Sequence, residues 1–110
     1  MKDRSVYLAT ALECIEQIAE YTHGMTKDAF MADRKTQDAV VRNLEIIGQA
    51  LKDYGVDALT EQMPHMPWPQ IAGMRNVLAH EYLGVDMVLI WEAIHMQLDE
   101  LRNALKQVRH

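Results

Sequence analysis

A chain of 110 residues, 49% of them apolar, can bury one core but not two, so a single domain over residues 1–110 is expected. Sixteen acidic against eleven basic residues give a formal net charge of −5. That balance speaks against a protein that coats nucleic acid through bulk positive charge, while leaving room for a small basic cleft. Charges interrupt every apolar run well short of the roughly 18 residues of a membrane span. The start, Met1-Lys2-Asp3-Arg4, leads into an amphipathic pattern and not into a signal peptide. The lone cysteine, Cys14, cannot close an internal disulfide, so a reducing, cytoplasmic location is expected.

The first helix should run from about Lys2 to Thr22. Tyr7, Leu8, Ala11, Leu12, Ile15, Ile18, Ala19 and Thr22 recur at three- and four-residue steps, with Glu13, Glu16, Gln17 and Glu20 turned outward. Gly24 reads as its stop. Cys14 lies beside the apolar stripe and reads as packing, and His23 as a solvated helix-end histidine. Thr26 can cap a short turn through Phe30. Asp33 can cap the second helix, Arg34 to Tyr54, which Gly55 ends. Its apolar face is wide: Val40, Leu44, Ile47, Leu51 and Tyr54 form one stripe, and Val41, Ile46 and Ala50 broaden it. Such a helix touches two neighbours. Gly48 inside it costs about 1 kcal/mol against alanine, which implies a close backbone approach.

From Val56 to Met66 the pattern lapses, and a loop with one turn at Ala58 to Met63 is expected. Pro69 should open the third helix, with Trp68 as an anchor before it; Ile71, Met74 and Leu78 point inward, and the helix should fray between His80 and Gly84. Asp86 should cap a fourth helix, on which Trp91, Ile94, Leu98, Leu101, Leu105 and Val108 share a face. The fold class expected is all-α: an up-and-down bundle of four main helices with a possible short extra helical turn.

The chain has no glycine-rich phosphate loop and no thiolate cluster. His23, His65, His80, His95 and His110 never fall three or four apart, so neither a metal site nor a cofactor is expected. Most carboxylates occupy outward helical positions and read as a solvated face. His95, beside the Trp91/Leu98 stripe, reads as structural. The stretch Arg75-Asn76-Val77-Leu78-Ala79-His80-Glu81-Tyr82 is different, because side chains suited to phosphate chemistry crowd into eight residues. With Arg75 at zero on a helical wheel, Asn76 lies near about 100°, His80 near about 140° and Tyr82 near about −20°. Asn76 and His80 are then i,i+4 neighbours. Arg75 and His80 share no tight stripe; they can meet over one broad face, in a distorted last turn, or across a subunit interface. The same residues also suit packing alone: a histidine on a helix dipole, an arginine paired with a glutamate, a tyrosine filling a gap between helices.

Arg75-x4-His80-x-Tyr82 resembles the R-x4-H-x-Y signature of the HepT-like toxins, a branch of the HEPN superfamily of α-helical ribonucleases. Asp38 to Gly48 resembles that family's second-helix segment. Pro67-Trp68 with Ile71-x-Gly73-Met74-Arg75-Asn76-x-Leu78-Ala79-His80-x-Tyr82 resembles its central block, and Val85-Asp86 with Trp91 its fourth-helix entry. One departure is Gln49, where the family commonly carries glutamate. The resemblance implies a HEPN-like bundle and a metal-independent endoribonuclease that spares DNA. It implies a homodimer in which two chains line one cleft, with Arg75 and His80 catalytic and Asn76 supporting. It also implies a partner, an MNT-type nucleotidyltransferase antitoxin that neutralises the toxin by transferring AMP to Tyr82. The competing expectation is a non-catalytic helical dimer that serves as a binding module for such a nucleotidyltransferase.

Overall fold

The computed structural model describes residues 3–80, with the backbone alone at His80, and residues 86–109. Among these, seven helices follow one another: α1 (Ser5–Thr22), α2 (Lys27–Met31), α3 (Arg34–Tyr54), α4 (Val56–Gln62), α5 (Trp68–His80), α6 (Met87–Met96) and α7 (Leu98–Gln107). No described residue is in a strand, and no helix among them is long and apolar enough to cross a membrane. The fold is an all-α bundle, as the periodicity implies.

α3 is the central element, packed along α1 on one side and α5 on the other. Val40, Val41, Leu44, Ile47, Ala50, Leu51 and Tyr54 on it are buried. Its two ends are set by local chemistry. Asp33 accepts from the Thr36 backbone N–H at 3.0 Å and from the Thr36 hydroxyl at 2.7 Å, and these bonds hold its carboxyl below the usual carboxylate range. At the other end Gly55, with φ 119°, closes α3 and opens α4. Arg4 crosses from the start of α1 to this point. Its Nε donates to the Tyr54 carbonyl at 2.8 Å, Nη2 donates to the same oxygen, and the guanidinium lies 4.8 Å from the centre of the Tyr54 ring. A cation thus meets the negative end of the α3 dipole. A Cβ at residue 55 would fall 2.7 Å from Arg4 Nη2.

Two expectations need correction. Val56–Gln62 forms a helix where the sequence reads as mostly loop; Leu59 buries completely and supplies the tertiary anchor that a seven-residue helix needs. The fourth main helix is also broken in two at Gln97, a turn residue with φ −119° and ψ −21°. Just before the break, the His95 ring lies 3.9 Å from that of Trp91 and its Nδ1 donates to the Trp91 carbonyl at 2.8 Å. A side chain bonding to a ladder carbonyl is a known source of helix distortion.

The short turn expected after Thr26 is α2, capped by the Thr26 hydroxyl, which accepts from Ala29 N. α2 carries Phe30 against Trp91 of α6, ring centres 5.2 Å apart. Asp86 caps α6 as expected, accepting from Val88 N. α1 begins at Ser5; the expected start at Lys2 lies outside the described residues. Cys14 is buried, and burial pushes its thiol pKa up, as suits a packing residue.

Candidate active site

α5 carries the candidate residues, and its first turn fixes it in place. Trp68, the first residue of the helix and not its forerunner, is fully buried, and its indole N–H donates to the Met63 carbonyl at 3.0 Å. One turn later α5 meets Gly48 of α3. A Cβ on Gly48 would sit 3.0 Å from the Arg75 backbone N, 3.1 Å from the Ala72 carbonyl oxygen and 3.2 Å from that of Ile71. The missing side chain therefore lets the two backbones touch at the residue where the motif begins. Gly48 is the close approach that its helix-interior position implies.

Beyond this contact α5 turns outward. Arg75, Asn76, Val77 and Ala79 are exposed, and Leu78 is the buried residue of that turn. Arg75 Nη1 donates to Asn76 Oδ1 at 3.0 Å, and among the described residues the guanidinium has no carboxylate partner. Asn76, expected as a supporting residue, meets Arg75 through its side-chain carbonyl oxygen. His80 is the last described residue of α5. Helix geometry puts its backbone about 7.5 Å along the axis from Arg75 and about 140° around it. The His80 side chain, the expected fraying as far as Gly84, Glu81 and Tyr82 lie outside the described residues.

Arg75 borders a cavity of about 470 Å³ between α1, α3 and α5. α1 contributes Val6, Tyr7 and Thr10 to its wall, and α3 contributes Arg42, Glu45, Gln49 and Asp53. Gln49 Nε2 donates to Asp53 Oδ1 at 2.9 Å, and Arg42 lies 3.8 Å from Glu45. The wall opposite Arg75 thus carries one cation, Arg42, two carboxylates, Glu45 and Asp53, and the amide of Gln49. On its other side α5 borders an apolar cleft of about 290 Å³, which includes Leu44, Ile71, Met74, Ile90 and Ile94. The polar groove is the side suited to a phosphate-bearing ligand.

The α3 wall of this groove was missed in the sequence, where its charges read as a solvated face. The available signal was the polar residues at 42, 45, 49 and 53, spaced three and four apart and flanking Gly48. The other singled-out histidines lie elsewhere: His23 is the exposed C-cap of α1, and His95 is exposed on α6. Among the described residues, no three histidine, cysteine, aspartate or glutamate side chains gather as metal ligands do.

Residues 11–108 match the family model described as "Ribonuclease HepT-like". A Methanocaldococcus jannaschii protein named "Gamma-glutamylcyclotransferase and putative RNase" is 39% identical over 97% of this chain. The chain spans 48% of that protein. A second protein of the same organism, named "Putative RNase", is 36% identical over 97% of this chain and 85% of its own length. The "Probable ribonuclease HepT" of Thermococcus cleftensis is 38% identical over 94% of this chain and 93% of its own. No solved structure matches the chain. With its family model covering all but the chain's ends, and relatives above 30% identity matched nearly end to end, this chain belongs to the HepT-like ribonuclease family.

Proposed function

We propose that the chain is the toxin of a two-component toxin–antitoxin system, a metal-independent endoribonuclease that acts as a homodimer. The observation that carries this reading is the string Arg75-x4-His80-x-Tyr82 in a member of the HepT-like family, with an exposed Arg75 guanidinium at the edge of a polar groove. A ribose 2′-OH attacks the adjacent phosphorus and His80 takes its proton, since an imidazole titrates near neutrality. The bond from phosphorus to the 5′-oxygen breaks, and the leaving oxygen receives a proton from an imidazolium, the other chain's copy of His80 in a shared cleft. The products are a 2′,3′-cyclic phosphate and a free 5′-hydroxyl. Arg75 stabilises the charge that builds on the phosphoryl oxygens, and Asn76 holds its fork in place. DNA lacks the 2′-OH and is spared.

The dimer is supported by the wheel geometry, which separates Arg75 from His80 on one helix. It draws no support from α3, whose wide apolar face is used inside the chain against α1 and α5. The exposed Val77, between the two motif residues, is a better candidate for covered surface. The partner in this reading is an MNT-type nucleotidyltransferase antitoxin. AMP on Tyr82 would place a bulky anion two residues from His80 and repel RNA.

Inducible expression in a bacterial host of wild type, Arg75→Ala and His80→Ala tests the reading. Wild type should arrest growth and degrade RNA, in vitro also with EDTA present. Each variant should lose cleavage by about 10²-fold or more, with helical content unchanged. An inert wild type would favour the non-catalytic binding module, and activity restored only by a divalent ion would replace this mechanism with metal-assisted hydrolysis. Intact mass after co-expression with the nucleotidyltransferase tests the partner: AMP should add to wild type and not to Tyr82→Phe.

A further inference from the structure

We infer that Arg42 is a second phosphate-binding residue: it holds the RNA backbone beside the phosphate that Arg75 grips, and so sets the course of the strand along the groove. This rests on the ribonuclease reading above and adds a positioning residue on α3 to it.

Among the described residues, Arg42 and Arg75 are the two cations that line the groove, one on the α3 wall and one on α5. Two other arginines are committed to the fold. Arg4 is bonded to the Tyr54 carbonyl, and Arg102 joins Glu16 of α1 at 2.7 Å and Asp99 of its own helix at 2.9 Å. Arg42 is not held in that way. Its Nη1 stays 3.8 Å from Glu45 Oε2, beyond hydrogen-bond reach, and 72% of its side chain is exposed. An exposed pair at that distance contributes little to stability, so the guanidinium can turn to a phosphate at small cost. Its planar fork of donors suits that ligand.

The two ends of the groove differ in charge. α3 meets the Arg75 backbone at Gly48. Arg42 lies about 9 Å along the α3 axis from Gly48 toward the N-terminus of the helix, and Asp53 about 7.5 Å toward its C-terminus. Arg42 and Glu45 sum to zero at the first end. At the second, Asp53 accepts from the neutral Gln49 amide at 2.9 Å, which leaves its charge in place. Arg4, bonded one residue beyond Asp53, is not part of the lining. A strand with its scissile phosphate at Arg75 therefore leaves along the Arg42 end, because the other exit sets carboxylate against phosphate. Val6, Tyr7, Thr10, Ile46 and Ala50 complete the lining, so no third described cation competes for the backbone.

The test is binding of a labelled 2′-O-methyl oligoribonucleotide to the intact protein, followed by fluorescence anisotropy over a range of salt. The probe has no free 2′-OH nucleophile and stays uncleaved. On a single strand each neutralised phosphate contributes about 0.7 to the slope of log affinity against log salt. Arg42→Ala should lower the slope by about that amount, and equally for probes of different sequence, because phosphates carry no sequence information. Arg42→Lys keeps the charge and should keep the slope. Arg34→Ala removes an exposed cation of the same helix outside the groove and should leave the slope as it is. In cleavage assays Arg42→Ala should raise KM far more than it lowers kcat, as does loss of a contact made equally in ground and transition states. A slope that Arg42→Ala leaves unchanged, or that Arg34→Ala lowers as much, would overturn the assignment. A protein that shows the slope change yet cleaves no RNA keeps the phosphate contact and loses the ribonuclease reading. One that cleaves RNA with the same KM and slope after Arg42→Ala does the reverse.

Discussion

The two halves of α5 are built on opposite plans. From Trp68 to Met74 the helix is held by a buried indole with a satisfied N–H, by buried Ala72 and by backbone contact with Gly48. From Arg75 to Ala79 it has one buried side chain, Leu78, and shows solvent an arginine, an asparagine, a valine and an alanine. The first half spends its residues on position, and the second, in the proposed reading, on chemistry. Gly48 touches the helix where one plan gives way to the other. The arrangement suits a site that must hold a guanidinium steady while leaving it open to a polyanion: rigid support lies under the reactive group, not around it.

The largest effect should come from the anchored half. Trp68→Ala removes a fully buried indole and its hydrogen bond to the Met63 carbonyl. A loss of about 3–5 kcal/mol is expected. Chemical denaturation should show the midpoint falling sharply. Any cleavage activity should fall with the folded fraction and not ahead of it. If Trp68→Ala left stability intact and removed activity alone, the division between the halves would be wrong.

Gly48→Ala acts on the boundary. Alanine gains about 1 kcal/mol in helix propensity. Its methyl would meet three backbone atoms of α5 at 3.0–3.2 Å, none of which can rotate away. Overpacking of that kind costs about 1–3 kcal/mol, so a net destabilisation of up to about 2 kcal/mol is expected. The two helices must separate at Arg75, so cleavage should fall by more than the unfolded fraction explains. A stabilised protein with unchanged activity would mean that α5 can shift without harm, and Gly48 would lose its role in placing the site.

Much of this was legible in the sequence because it is local. Asp33, Thr26 and Asp86 cap through bonds to residues two or three positions away, so the starts of α3, α2 and α6 could be read from residue type and spacing. Gly48 could be read as a close approach because glycine inside a long helix needs a reason. What escaped is tertiary in origin. α4 depends on the burial of Leu59, and the apolar stripe from Trp91 to Val108 runs unbroken across the break at Gln97. The groove is formed jointly by three helices. Seen on α3 alone, Arg42, Glu45, Gln49 and Asp53 are indistinguishable from a solvated face, and only the nearness of Arg75 makes them a wall. The motif itself was legible as a string, but its wheel positions left open how Arg75 and His80 would meet.

The smallest effect on the fold, and the finest test of the exposed half, is Val77→Asp. Val77 keeps 53% of its surface exposed and sits between Arg75 and His80 in the motif. Substitutions at such surface positions change stability by about 0.5 kcal/mol or less. Thermal melting of the variant should therefore overlay that of wild type wherever the chain is monomeric. In the proposed homodimer the same position would face the partner's copy of the helix, and a desolvated carboxylate there would have no cation to meet. Light scattering at micromolar concentration should then show wild type at twice the chain mass and Val77→Asp at the chain mass, with cleavage lost along with the dimer. Val77→Ala, which trims the contact without charging it, should lie between the two. If Val77→Asp stays dimeric and active, the shared cleft lies away from this face. Arg75 and His80 would then have to meet across another face of α5, because within one chain the helix turns by about 140° between them.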